Sequence, residues 1–90
     1  MTLLEAVASL DSLDGMSTIY AEEPWTPESQ TIVADEPAGN AFLLPVQAAG
    51  LKYFLEIFIA REVLEDWVTD AEPTVQDKCA RLIEYATNDA

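Results

Sequence analysis

Histidine is absent from this sequence, and glycine is scarce. Without histidine, the chain lacks the side chain that most often serves as a general base at neutral pH and as a metal ligand. Catalytic sets of the Ser/His/Asp and Cys/His types are therefore excluded within the chain. The three glycines, Gly15, Gly39 and Gly50, are isolated from one another, so a glycine-rich phosphate loop and nucleotide hydrolysis are not indicated.

Cysteine occurs once, at Cys79, so an internal disulfide cannot form. The first residues show no basic start, no long apolar core and no cleavage signal, and no apolar run approaches transmembrane length. A secreted disulfide scaffold and a membrane protein are both disfavoured. We expect a cytoplasmic protein with no membrane attachment.

Basic residues are also few. The chain has 4 bases and 17 acids, which give a net charge of −13. The first base in the chain is Lys52, and the others are Arg61, Lys78 and Arg81. Direct binding to nucleic acid or to anionic lipid requires a basic surface, so both are disfavoured. The acidity suits docking onto a basic protein partner, although an ordinary solvated surface explains the same composition.

Apolar residues are plentiful, since half of the 90 residues are hydrophobic. A chain of this length and composition can bury a hydrophobic core without stabilisation by disulfides or a bound metal. We therefore expect a single domain over residues 1–90.

Helical spacing of apolar residues predicts three helices. The first runs from Leu3 to Leu10 or Leu13, and Thr2 with Glu5 has the spacing of a capping box at its start. A second helix follows residue 57 with Arg61 on its polar side, and the third runs from about Val75 to Thr87. In the third helix, Thr74 and Asp77 repeat the capping pattern, and Asp77 is also placed to pair with Arg81.

Short β-branched or aromatic runs predict strands at Ser17 to Ala21 and at Thr31 to Ala34, and Ala41 to Leu44 is a further short candidate. The segment from Leu51 to Ile57 alternates, with Leu51, Tyr53, Leu55 and Ile57 on the face expected to be buried. A helix over the same residues is the competing interpretation, and the preferred one is a strand that passes directly into a helix over Phe58 to Val68. The predicted fold class is α+β, a small and mostly antiparallel sheet of three or four strands packed with three helices in the order α-β-β-(β)-β-α-α.

An acidic loop separates the first two strands, and it is the candidate partner-binding site. Trp25 lies between two prolines and belongs to no periodic apolar stripe, so it is either a lid over the sheet edge or an interface anchor. The candidate site residues are Glu22, Glu23, Pro24, Trp25 and Pro27.

The run from Ile19 to Ser29 that includes this loop, with the later stretch from Gly50 to Ile57, resembles small bacterial domains of unknown function that share a YxxxEPW loop and a GLxY strand. In this chain the loop motif reads Tyr20-Ala21-Glu22-Glu23-Pro24-Trp25, with one residue fewer than the family's motif after the tyrosine. The two runs, with the segment between them, span residues 19–57, a little under half of the chain. The resemblance implies a compact bacterial domain and assigns no catalytic residue.

Carboxylates offer the alternative chemistry. Glu22 and Glu23 in the loop, or Glu62, Asp66 and Asp70 at successive i,i+4 positions, are candidates for a cation site or an acid-base pair, although such a line is ordinarily a solvated helix face. Cys79 lies on an apolar stripe, where an inert buried thiol is expected.

The sequence thus favours a non-enzymatic protein-interaction or regulatory module, immunity-like or inhibitor-like, with no predicted catalytic residue, metal or cofactor. A carboxylate-based cation-binding or enzymatic domain is the alternative. Homo-oligomerisation is a further hypothesis, because the apolar content of residues 53–68 exceeds what a small core needs.

Overall fold

Over the residues that the structure describes, the architecture is an antiparallel three-stranded sheet combined with three α-helices, which confirms the predicted α+β class. The computed structural model describes residues 1–35, 50–67 and 71–89. Its elements in chain order are α1 (Leu3–Ala8), a 3-10 helix (Leu10–Ser12), β1 (Ser17–Glu22), β2 (Thr31–Asp35), β3 (Leu51–Glu56), α2 (Ile57–Glu65) and α3 (Val75–Asp89). The candidate strand from Ala41 to Leu44 lies outside the described residues.

The strand order is β2-β1-β3, and β1 pairs antiparallel with both neighbours. Ile19 of β1 lies opposite Val33 on one side and Leu55 on the other. Strand β3 ends at Glu56 and α2 begins at Ile57, which confirms the predicted direct passage from strand to helix.

A β-bulge changes the alternation predicted for β3. Ile19 pairs with Leu55 while Tyr20 pairs with Tyr53, so Phe54 is an extra residue in the ladder. A bulge brings two neighbouring side chains to the same side, and both Phe54 and Leu55 enter the main core. The prediction that Tyr53 is buried and Phe54 lies on the opposite face was wrong: Tyr53 is 51% exposed and Phe54 is 1% exposed.

One hydrophobic core joins the three helices to the sheet. Its buried members come from the helices and from strands β1 and β3, and they are Leu3, Val7, Leu10, Ile19, Ala21, Phe54, Leu55, Ile57, Ala60, Cys79, Leu82 and Ala86. Each fully buried large aliphatic or aromatic side chain in such a core stabilises the fold by roughly 1.5–3 kcal/mol. Cys79 is thus a packing residue, as its place on the apolar stripe predicted.

Both predicted capping boxes are present. At α1 the Thr2 backbone N–H donates to Glu5 Oε1 at 2.8 Å, and the Glu5 N–H donates to Thr2 Oγ1 at 3.2 Å. Thr74 and Asp77 make the same reciprocal pair at the start of α3, at 3.0 and 3.1 Å. The Asp77 carboxylate is therefore engaged in the cap, and the predicted pair with Arg81 was wrong, because Arg81 instead contacts Glu84 at 3.3 Å.

Arg61 does not lie on the solvated side of α2 as predicted. Its guanidinium group is partly buried and donates to the Leu10 carbonyl oxygen, from Nε at 3.2 Å and from Nη2 at 2.8 Å. Nη2 also donates to the carbonyl oxygen of Leu13. The Leu10 oxygen also accepts from the Leu13 N–H at 3.4 Å, so the guanidinium group adds to a backbone bond there and joins the 3-10 helix to α2.

We expect Arg61→Met to lower the free energy of unfolding by about 1–3 kcal/mol, because the aliphatic stem is kept while the carbonyls of Leu10 and Leu13 lose a charged donor. Urea denaturation measures the change. Lys52→Met is the matched control, since it removes one base from an exposed position of β3 and should change stability by no more than about 0.5 kcal/mol. Equal losses in the two variants would show that only the charge change matters.

Candidate functional site

The candidate loop is docked onto the first turn of α1. The backbone N–H groups of Leu3 and Leu4 donate to the carbonyl oxygens of Ser29 and Pro27, at 3.0 and 2.9 Å. With the Thr2 hydroxyl accepting from Glu5, these bonds satisfy donors that a helix start leaves without intrahelical partners. The loop therefore forms part of the cap of α1.

Trp25 folds back onto the sheet. Its ring centroid lies 4.9 Å from that of Phe54 with the ring planes at 88°, and its indole Nε1 donates to the Ala21 carbonyl oxygen at 3.2 Å. An edge-to-face contact of this kind contributes about 0.5–1.5 kcal/mol beyond the area it buries. Of the two roles left open by the sequence, the structure shows the packed one, with the indole partly buried against the main core.

Ser29 braces the loop from within, and the sequence interpretation missed it. Its buried hydroxyl accepts from the Thr26 N–H at 2.8 Å and donates to the Pro24 carbonyl oxygen at 3.2 Å. Serine hydroxyls often bond to nearby backbone in turns, so a serine closing a proline-rich loop is the signal that could have identified it. The side chain holds the loop residues on both sides of Trp25 in place.

The outer side of the loop is acidic and exposed. Glu22, Glu23 and Pro24 are exposed, whereas Pro27 is half-buried. The structure thus divides the predicted site residues into an outer group, Glu22, Glu23 and Pro24, and an inner pair, Trp25 and Pro27. Their binding of a partner stays a prediction.

The loop also influences the thiol of α3. Burial raises the pKa of Cys79 to about 11, and the negative charge of Glu28 adds to that shift. The neutral thiol is therefore the form present at physiological pH, so Cys79 lacks the thiolate that nucleophilic chemistry requires.

The carboxylates are spread over the surface. Where the structure describes their exposure, all acidic side chains except Glu56 are exposed, including Glu62 and Asp66 on α2. Among residues 1–35, 50–67 and 71–89 there is no group of three or more acidic or cysteine side chains arranged to hold a metal ion. Asp70 lies outside these ranges, and the carboxylate alternative stays a prediction.

Among the described residues 53–67, two large apolar side chains are exposed, Tyr53 and Phe58, the latter by 46%. They fit the hypothesis of homo-oligomerisation, which stays a prediction. In the ranges that the structure describes, no helix has the length and apolar character needed to cross a membrane.

We expect Trp25→Ala to lower the free energy of unfolding by roughly 2–4 kcal/mol, because the partly buried indole loses its packing and its contact with Phe54. Trp25→Phe keeps an aromatic ring and loses the bond to Ala21, so a loss of about 1 kcal/mol is expected. Urea unfolding followed by circular dichroism compares the two. An unchanged midpoint for Trp25→Ala would contradict the role of the ring in holding the loop.

We expect iodoacetamide to label Cys79 of the native protein at neutral pH at a rate no higher than the rate at which the protein unfolds. We also expect stability to fall between about pH 9 and about pH 11, because the unfolded thiol, with a pKa near 9.0, ionises before the folded one does. The contribution is complete below the lower value and lost as the pH passes the higher one. Cys79→Ala should lack this part of the pH dependence, and rapid labelling of the folded protein would contradict the assignment.

Comparison of the chain with protein-family models, with curated proteins and with solved structures finds no match in any of the three. The resemblance to small bacterial domains with a YxxxEPW loop therefore stays a prediction.

Proposed function

We propose that this protein is a non-enzymatic interaction module, immunity-like or inhibitor-like, that binds a basic partner protein through its acidic surface. The observation that carries the proposal is the placement of charge. The exposed carboxylates of the described residues are left almost without ionic partners, since the one ion pair in that part of the chain is Arg81 with Glu84. Such a surface attracts a cationic protein over a distance and accelerates association at low salt.

The outer side of the Trp25 loop is the proposed contact surface. Glu22, Glu23 and Pro24 are exposed there, while Trp25 and Ser29 fix the backbone beneath them. A loop already held in one conformation loses little entropy when a partner binds. Trp25 accordingly supports binding by positioning the acidic residues.

Three further parts of the proposal follow from composition. A net charge of −13 opposes direct contact with nucleic acid and with anionic lipid. We place the protein in the cytoplasm, where a lone free cysteine such as Cys79 stays reduced. The absence of histidine and the lack of a described metal cluster favour binding over catalysis.

The test uses charge changes at exposed positions, where substitutions change stability little. We expect affinity capture from the native host, followed by mass spectrometry, to identify a basic protein. Its purified form should bind at least about tenfold more weakly when NaCl is raised from about 50 mM to about 300 mM, because salt screens exposed charges. The double variant Glu22→Gln and Glu23→Gln should weaken binding at low salt and reduce the salt dependence.

Asp11→Asn with Glu65→Gln is the matched control, because it also removes two exposed negative charges, from a cleft that no residue of the loop lines. A partner that binds independently of salt would refute the proposed function. If the two double variants lose the same amount of affinity, the loop is not the contact surface.

A further inference from the structure

A groove between α2 and α3 combines an apolar floor with acidic sides. Two open clefts form it, one of about 230 Å³ and one of about 460 Å³, and Arg81 lines both of them. The smaller cleft contains Ile59 and Val63 of α2 together with Tyr85 of α3, and the larger contains Trp67 beyond the end of α2. We refer to these two clefts as the α2–α3 groove.

The floor of the groove offers apolar surface that the core does not fully cover. Ile59, Val63 and Tyr85 are partly buried against the main core and line the open smaller cleft, and Trp67 is likewise only partly buried. Ile59 and Val63 are one helical turn apart, so they form a stripe along α2. An amphipathic helix docks into a groove of this kind through apolar residues at i, i+3, i+4 and i+7.

The sides of the groove carry an excess of negative charge. Five exposed acids line the two clefts, namely Glu62, Asp66, Glu72, Asp77 and Glu84, and Arg81 is the base among the lining residues. Arg81 is already engaged with Glu84 at 3.3 Å. Glu62 and Asp66 have no ion pair within the described part of the chain, so they are available to external cations.

We propose that the α2–α3 groove binds a cationic amphipathic helix of a partner protein. The apolar stripe of that helix covers Ile59 and Val63, and its lysines or arginines pair with Glu62 and Asp66. A second copy of this chain is a poor occupant, because it brings a further net charge of −13 to an acidic groove. The inference rests on the proposed function, since both require a basic partner, and it assigns that partner a structural class and a second place of contact.

The test uses a synthetic helical peptide of about 18 residues, long enough to have measurable helicity, with leucines on one face and lysines on the other. We expect it to bind and to shift the backbone amide resonances of α2 and α3 around the groove. Glu62→Gln with Asp66→Asn should weaken this binding by about tenfold at low salt. Asp11→Asn with Glu65→Gln, which removes the same charge from positions outside the groove, should leave affinity within about twofold.

A peptide of the same composition with scrambled leucine positions supplies the second control. If the scrambled peptide binds equally well, attraction between net charges is sufficient to explain the binding and the inference is wrong. The inference is also wrong if the resonance shifts centre on the Trp25 loop. Equal binding by the Glu62→Gln, Asp66→Asn variant would also overturn it. If the peptide does not bind while a native partner binds in a salt-dependent way, the groove is refuted and the proposed function stands. If the native partner binds independently of salt, the proposed function itself is refuted.

Discussion

The docking of residues 23–30 onto the first turn of α1 is the constraint on which the rest of this small structure depends. A helix as short as α1 has marginal stability by itself, because its first N–H groups lack intrahelical partners and its few hydrogen bonds do not offset the cost of nucleation. The carbonyls of Pro27 and Ser29 satisfy those donors, and Trp25 fastens the same loop to Phe54 on the sheet. Helix, loop and sheet are thereby coupled.

This coupling explains why the aromatic, hydroxyl and acidic side chains of the loop divide into two groups. Trp25 and Ser29 face the protein, where they make defined contacts, while Glu22 and Glu23 face solvent. The buried groups fix the shape of the loop, and the exposed groups give it its charge. Under the proposed function, Trp25 acts on recognition through the geometry that it imposes on the loop.

The bases of the chain also make structural contacts. There are four bases and 17 acids, and one of the bases, Arg61, donates to the carbonyls of Leu10 and Leu13 and pairs with no acid in the part of the chain that the structure describes. Arg81 contacts Glu84 at the junction of the two clefts of the α2–α3 groove. Arg81 with Glu84 is the one ion pair among the described residues, so most of the exposed carboxylates there have no ionic partner. Long-range attraction to cationic proteins is the physical property that this arrangement favours.

Local chemistry was sufficient to predict both capping boxes, the three described strands and the passage from β3 into α2, because each depends on residues a few positions apart. The burial of Cys79 followed from helical periodicity in the same way. The bulge at Phe54, the turn of Arg61 towards Leu10 and the bracing by Ser29 depend on contacts with other elements. The strand register, the position of the Leu10 and Leu13 carbonyls near α2 and the sheet surface against which Trp25 packs exist only after the chain has folded, so tertiary packing decided them.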